Sequence, residues 1–410
     1  MISSAAVGAP FAGLRIVDFS SMVSGPFCTK LFADLGAEVI KVEQPRHGDE
    51  ARRRGPFPND CPDPSRSLLF EYLNTHKLGI TLNVEVDEGQ VLFRELVQIA
   101  DVCVEDKPPG YLESFGLGYQ SLRRLIPQLI VLSITPFGQT GPYRNYKAYN
   151  LNTTHVGGEG WLTPSGLAQR LSPAREPLKA GGYIGDYYCG VTAATALITA
   201  LLGSNSLGEG QHIDLSKQDA HMTLSRRALG LYANRGILET RETRDNLYGG
   251  VIPCKDGYFV AIILQQHQWE ALAAMMGHPS WMDDPRFVDQ AGRNLFGGEI
   301  NLRLTQWAAT KSKAEIYKEA LQAGVPLGPV LSPTEVLESE QERARGYFAD
   351  VWHPRLGRVR YPTAPYRLSA TPVRIRQVAP TLGQHNTAVY CDLLGRSRKE
   401  LYTLWQAGVI

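Results

Sequence analysis

The stretch GGYIGDYYCG, residues 181–190, sets a single carboxylate, Asp186, among four glycines, three tyrosines and a cysteine, directly ahead of the apolar run VTAATALITALL. A carboxylate in that place has two uses. As an N-cap it accepts hydrogen bonds from the first-turn amides of the helix that follows, worth about 1 kcal/mol. As a reagent it is a covalent nucleophile, held ionised by amides and the helix dipole, with Gly185 and Gly190 letting backbone pack close around it. Residue types and spacing leave both uses open. Other chemistries find less to work with. The nine histidines form no HxH, HExxH or Cys/His cluster, so no metal site is expected. No G-x-S-x-G elbow is present, and GGEG (157–160) and GSNSLGEG (203–210) do not make a G-x-G-x-x-G fingerprint.

The elements that must position Asp186 are legible in outline. GLRIVDFS (13–20) reads as a buried strand, Ser24-Gly25-Pro26 as a turn, and Cys28, Leu31, Phe32 and Leu35 recur at helical spacing. Gly36 ends that helix and AEVIKVE is the next strand, which makes a βαβ unit and a parallel sheet. KLGITLNV, ADVCVED and LIVLSITPFG repeat the strand pattern, so the first half is α/β. A second unit opens near residue 245, where GGVIPC and GYFVAII flank Lys255-Asp256-Gly257 as a hairpin, with helices over 265–276, 300–311 and 313–323. The expected division is a large domain over 1–225, a linker over 226–244, a small domain over 245–330, and a tail over 331–410 that returns to the large domain.

With 410 residues, 43% hydrophobic and 20% charged, the chain has the composition of a globular protein of two domains, or of one with an insertion. A formal net charge of +1 points to neither nucleic acid nor an anionic membrane. Six dispersed cysteines without a CxxC pair read as reduced thiols. With no signal peptide pattern and no uncharged apolar run of spanning length, a cytoplasmic location is expected.

The chain resembles the family III CoA-transferases, whose fold family also includes α-methylacyl-CoA racemase. The matching pieces run in order from end to end: GLRIVDFSSMVSGPFCTKLFADLGAEVIKVEQP, HGDEARRRGP, NTHKLGITLNV, ADVCVED with GLGYQSL, PFGQTGPY, GYIGDYYCG, GEGQHIDLSKQDA, GGVIPCKDGY, GVPLGPVLSPTEVL and APTLGQH. The resemblance implies that Asp186 is the nucleophile, passing through acyl anhydrides and an aspartyl-CoA thioester as CoA moves from an acyl-CoA donor to a carboxylic acid. It implies CoA contacts at Val23, Ser24, Asn74, His76, Lys77, Asp106, Lys107, Lys147 and Asn150, and a closing segment at Gly249-Gly250. Acyl-CoA is then a substrate, with no tightly bound cofactor. The implied fold is a Rossmann-like α/β large domain with an inserted small α+β domain, in an interlocked homodimer.

Basic residues at 52–54 (Arg52, Arg53, Arg54) are candidates to meet a phosphate, and Tyr187, Tyr188 and Trp161 to line the acyl pocket. Against the family pattern the chain departs at four places. Val23 stands where oxalate-using relatives carry a glutamine, Asn150 where they carry a glutamate, and Ser114 where a basic residue is frequent. These point away from formate and oxalate, toward a larger or less polar acid. Ala148 stands where the racemases carry a histidine base, with His155 seven residues on. Racemisation at an acyl-CoA α-carbon is therefore the second reading, and CoA-ester binding without turnover the third.

Overall fold

The structure is a computed structural model that describes residues 8–243 and 248–410. It divides into two compact units: the chain up to Gly157 with Ala180–Thr223 and Arg343–Ile410, and Gly158–Lys179 with Leu224–Glu342.

The first unit is built on a six-stranded parallel sheet. Its strands are β1 (Arg15–Phe19), β2 (Glu38–Glu43), β3 (Lys77–Thr81), β4 (Val102–Glu105), β5 (Ile130–Thr135) and β6 (His212–Ser216), in the order β3-β2-β1-β4-β5-β6. Ile16 pairs with Val39 on one side and Val102 on the other, so β1 lies where the strand order reverses. In doubly wound sheets of this order, ligands sit at that switch point, outside the carboxyl ends of the strands. The strands are near-continuous apolar runs because both faces are covered. Alternate side chains feed two cores. Ile16, Val39, Val102 and Leu132 pack with Cys28, Phe32, Ala193 and Leu197. Val17, Ile40, Ile80 and Val131 pack with Phe93, Leu96, Val389 and Tyr390.

The first of these faces is covered by α1 (Ser24–Asp34) and the second by α2 (Asp87–Gln98). Between β5 and β6 the chain makes the short helix α3 (Asn150–Val156) and the 24-residue helix α4 (Ile184–Leu207), and β6 leads directly into α5 (Lys217–Leu224). Helix α4 has the length and apolarity of a spanning segment, with a mean hydropathy of 1.3 over Ile184–Ser204. Ala193, Leu197 and Ala200 nonetheless pack it on the sheet, in the place of a core helix. The tail closes on the far edge, where Tyr390 donates to the Thr81 carbonyl at 2.8 Å and Asn386 accepts from the Thr81 amide at 2.9 Å.

The second unit has its own core around Tyr248, Phe259, Trp269, Leu272, Phe287 and Ile300, beneath an antiparallel sheet of β7 (Gly250–Cys254), β8 (Gly257–Ala261) and β9 (Leu327–Pro329). It is larger than the expected 245–330. Leu167 and Leu171, expected within the large domain, line a groove of about 640 Å³ with Val251, Tyr258 and Ile262, which draws 158–179 into this unit. Arg226–Arg235 of the expected linker is helical, and the expected boundary at 244–245 lies outside the described residues.

Candidate active site

Asp186 is the third residue of α4, not its N-cap. Tyr183 holds that place and makes no side-chain capping bond. The carboxylate turns to two other elements. Ser24, at the start of α1, donates its hydroxyl to Asp186 Oδ1 at 3.2 Å. Lys217, at the start of α5, donates from Nζ to the same oxygen at 3.0 Å. Oδ2 takes no hydrogen bond among the described residues. The Asp186 side chain is only 9% exposed, whereas that of Lys217 keeps 23% of its surface open. Burial works to lower the Lys217 pKa, and the facing carboxylate more than offsets it, so the ammonium is held above the usual lysine value.

Two glycines let these elements meet. A Cβ on Gly190 would lie 2.8 Å from the Ser24 carbonyl oxygen, so α1 and α4 approach at the distance only glycine permits. A Cβ on Gly185 would lie 2.8 Å from His221 Nε2 and 2.9 Å from Asn150 Nδ2. Those nitrogens have no hydrogen-bond partner among the described residues although buried, which leaves an unsatisfied polar face against the turn that carries Asp186.

The loop between β1 and α1, which delivers Val23 and Ser24, rests on a buried ionic frame. Asp18, Lys41 and Lys77 are wholly buried. Lys77 Nζ donates to Asp18 Oδ2 at 2.9 Å, the Pro26 carbonyl at 2.8 Å and Asn74 Oδ1 at 3.0 Å. Lys41 pairs with Asp49 at 2.8 Å and also bonds the Ser20 carbonyl. Asp49 accepts from the Met22 amide at 2.9 Å. Burial alone would raise the Asp18 pKa, but Lys41 and Lys77 hold the carboxyl well below the usual range. Asp106, after β4, completes the frame by accepting from the Ser21 amide at 2.7 Å and hydroxyl at 3.0 Å.

Several residues expected to touch CoA have their side chains engaged within the protein. Lys77 is spent on Asp18, Pro26 and Asn74. Asn74 is itself fully buried and donates to the Phe70 carbonyl at 3.0 Å. His76 bridges Asp34, 2.9 Å from Nδ1, and the Arg376 amide, which donates to Nε2 at 2.8 Å, so the imidazole ties the tail to α1. Arg52 forms a two-pronged pair with Glu43, both bonds 2.7 Å, and is likewise buried. Arg53 donates to the His47 carbonyl at 2.6 Å, while Arg54 is exposed.

Others remain open to a ligand. Lys107 is partly exposed, 3.1 Å from Asp106 and over the Phe19 ring, and Lys147 is exposed. Val23 is buried beside Ser24, whose hydroxyl meets Asp186. Tyr187 packs edge-on to Phe27 at 4.9 Å, and Tyr188 bonds Thr223 at 2.6 Å. Gly249 and Gly250 belong to the second unit. Both have left-handed φ, and the Gly249 amide donates to Asn301 at 2.7 Å. Trp161 also lies there, half exposed, with its indole donating to the Glu239 carbonyl at 3.3 Å.

Sequence reasoning missed Lys217 and His221. The signal for Lys217 was available: HIDLS reads as a strand, and a cation just past a parallel strand's carboxyl end is at the ligand edge of such a sheet. Among the described residues no three His, Cys, Asp or Glu side chains converge as metal ligands would.

The model of CoA-transferase family III matches residues 11–386. The chain belongs to that family. It is 32% identical over 407 residues to the succinyl-CoA–D-citramalate CoA-transferase of Chloroflexus aurantiacus, covering 98% of each chain. It is 31% identical over 423 residues to the formyl-CoA:oxalate CoA-transferase of Bradyrhizobium diazoefficiens, covering 97% of this chain and 96% of that one. A CAIB/BAIF family protein from Brucella suis has the same fold, with a TM-score of 0.82 at 29% identity over 94% of this chain and 100% of that one. This chain is accordingly a CoA-transferase, and its central parallel sheet is the family's.

Proposed function

We propose that this enzyme moves CoA from an acyl-CoA to a free carboxylic acid through an aspartyl-CoA thioester on Asp186. The observation that carries the proposal is the asymmetry of the carboxylate: one oxygen is held by Ser24 and Lys217, and the other is free to attack. Oδ2 attacks the thioester carbonyl carbon, CoA leaves as thiolate, and a mixed anhydride forms. The thiolate then attacks Cγ of Asp186, expelling the donor's carboxylate and leaving the aspartyl thioester. An acceptor carboxylate runs both steps in reverse and departs as the new CoA ester. Anhydrides hydrolyse readily, so the site must exclude water, and the near-complete burial of Asp186 serves that need.

Lys107, Lys147 and the exposed Arg54 are candidate cations to meet CoA phosphates, and Val23 and Asn150 flank the pantetheine end. Gly249-Gly250 is the segment assigned to cover the intermediate, a role that rests on the family resemblance. The acceptor is a larger or less polar acid than oxalate, as Val23 and Asn150 suggest. We place the reaction in the cytoplasm, where the six free cysteines stay reduced. We also propose a homodimer, supported by the exposed apolar stripe Val191, Ile198 and Leu202 along α4.

The test is intact mass after incubation with succinyl-CoA, formyl-CoA or butyryl-CoA and no acceptor, followed by peptide mapping. Wild type should gain the mass of CoA less water on the Asp186 peptide, and Asp186→Ala should gain nothing while still binding CoA. Wild-type turnover by Asp186→Ala would refute the mechanism.

A further inference from the structure

We infer that Lys217 is a catalytic residue, the electrophilic partner of Asp186 Oδ1 in every step that passes through the aspartyl carbonyl. The inference rests on the aspartyl-thioester reading and deepens it. A bare structural ion pair would be the alternative. Lys77 shows what that looks like in this chain: an ammonium with no exposed surface and three protein acceptors. Lys217 differs on each count. It is partly open to solvent, and among the described residues its one hydrogen-bond acceptor is Asp186 and no other charged donor reaches that carboxylate.

The charge balance assigns the role. In the resting enzyme the ammonium faces a carboxylate. When Oδ2 becomes the bridging oxygen of the anhydride, Asp186 loses its charge and Oδ1 becomes a carbonyl oxygen beside an unneutralised cation. CoA thiolate then attacks Cγ, and the carbonyl electron pair moves onto Oδ1. The resulting oxyanion forms where Lys217 and Ser24 already stand, at 3.0 Å and 3.2 Å from the oxygen in the resting enzyme. Collapse breaks the Cγ–Oδ2 bond, the donor acid leaves with Oδ2, and Oδ1 is the carbonyl oxygen of the thioester. Attack by the acceptor carboxylate regenerates the same oxyanion, and CoA thiolate leaves. No proton moves in either step, so Lys217 acts as a fixed charge and stays an ammonium. Donors preset at a developing oxyanion need no reorganisation, and removing one costs about 10²–10³ in rate.

Two consequences can be measured, with succinyl-CoA as donor and succinate as acceptor. In Lys217→Ala, loading of Asp186 with CoA should slow about 10²–10³-fold while CoA affinity stays at the wild-type value. Added methylammonium should restore part of the rate, and Lys217→Arg should load faster than Lys217→Ala. Loading of Lys217→Ala at the wild-type rate overturns the inference, and so does a slow rate that no amine restores. The second measurement needs no variant. Because Oδ1 is pinned and only Oδ2 leaves, repeated turnover with succinate labelled by oxygen-18 should place one label on Asp186, and two labels would show that Oδ1 is not held. If wild type forms no adduct at all, the aspartyl-thioester reading falls and takes this inference with it. An adduct that forms equally well without Lys217 removes only the role of the lysine.

Discussion

Replacing Lys77 by Met should destabilise the protein while leaving the CoA affinity of folded molecules unchanged. The ammonium is wholly buried and satisfies Asp18, the Pro26 carbonyl and Asn74 at 2.8–3.0 Å. Met fills most of the volume but returns none of these bonds. Asp18 would keep the Ser20 and Thr29 hydroxyls, with Lys41 at 3.9 Å as its remaining cation. Removing one partner of a buried pair leaves a charge without compensation and costs about 3–5 kcal/mol. That is a large part of a typical stability of about 5–15 kcal/mol. Urea unfolding followed by circular dichroism should show the midpoint falling, and adding Asp18→Asn to Lys77→Met should recover much of the loss, since the stranded charge is gone. Calorimetric titration with CoA reports the other half. An unchanged urea midpoint with a tenfold or greater loss of CoA affinity would refute this account and make Lys77 a phosphate contact.

Two further outcomes follow from the same geometry. Gly185→Ala would put a methyl group 2.8 Å from His221 Nε2 and 2.9 Å from Asn150 Nδ2, and the buried imidazole has little room to retreat. A loss of about 1–3 kcal/mol is expected, with Asp186 loading slowed by tenfold or more as its turn shifts; wild-type loading and stability would show that the turn tolerates a Cβ. Glu105 is buried, and burial pushes its carboxyl up to about 7 from the usual 4.5. Between those values the folded protein holds a proton that the unfolded chain has released, so the stability present below pH 4.5 is lost as pH rises through 7, at about 1.4 kcal/mol for each pH unit. Glu105→Gln should flatten that fall in urea midpoints taken at pH 5 and pH 7.5, and an identical fall in the variant would show that Glu105 does not cause it.

The parallel sheet was legible because its strands are short apolar runs broken by glycine turns, and a buried strand needs little else to declare itself. Asp186 was legible as a residue of interest for a different reason: a lone carboxylate before a long apolar helix has few uses. Its environment was not. Ser24 lies 162 residues away in sequence and Lys217 lies 31 away, so neither spacing says that they meet on one oxygen. Spacing also could not tell Lys77 from a ligand contact, since a lysine that opens a strand reads the same whether its ammonium points into the core or out of it. The stretch 158–179 was expected in the large domain because the sequence on either side of it belongs there. What assigns it is the groove that Leu167 and Leu171 share with the second sheet, a contact across the chain.

Lys77 and Lys217 thus each face an aspartate, at nearly equal distances of 2.9 and 3.0 Å, and distance alone would give them equal standing. Burial and company separate them. Around Lys77 every hydrogen-bonding direction is taken by protein, so the pair can only hold the loop that presents Ser24. Around Lys217 the single acceptor among the described residues is a carboxylate whose other oxygen takes no bond from them, and the approach is partly open, so its charge is available to whatever Asp186 becomes. A rigid frame beneath the loop and an uncommitted cation beside the carboxylate are complementary. The first fixes where Ser24 stands, and the second answers the loss and return of charge on Asp186 as an acyl group comes and goes.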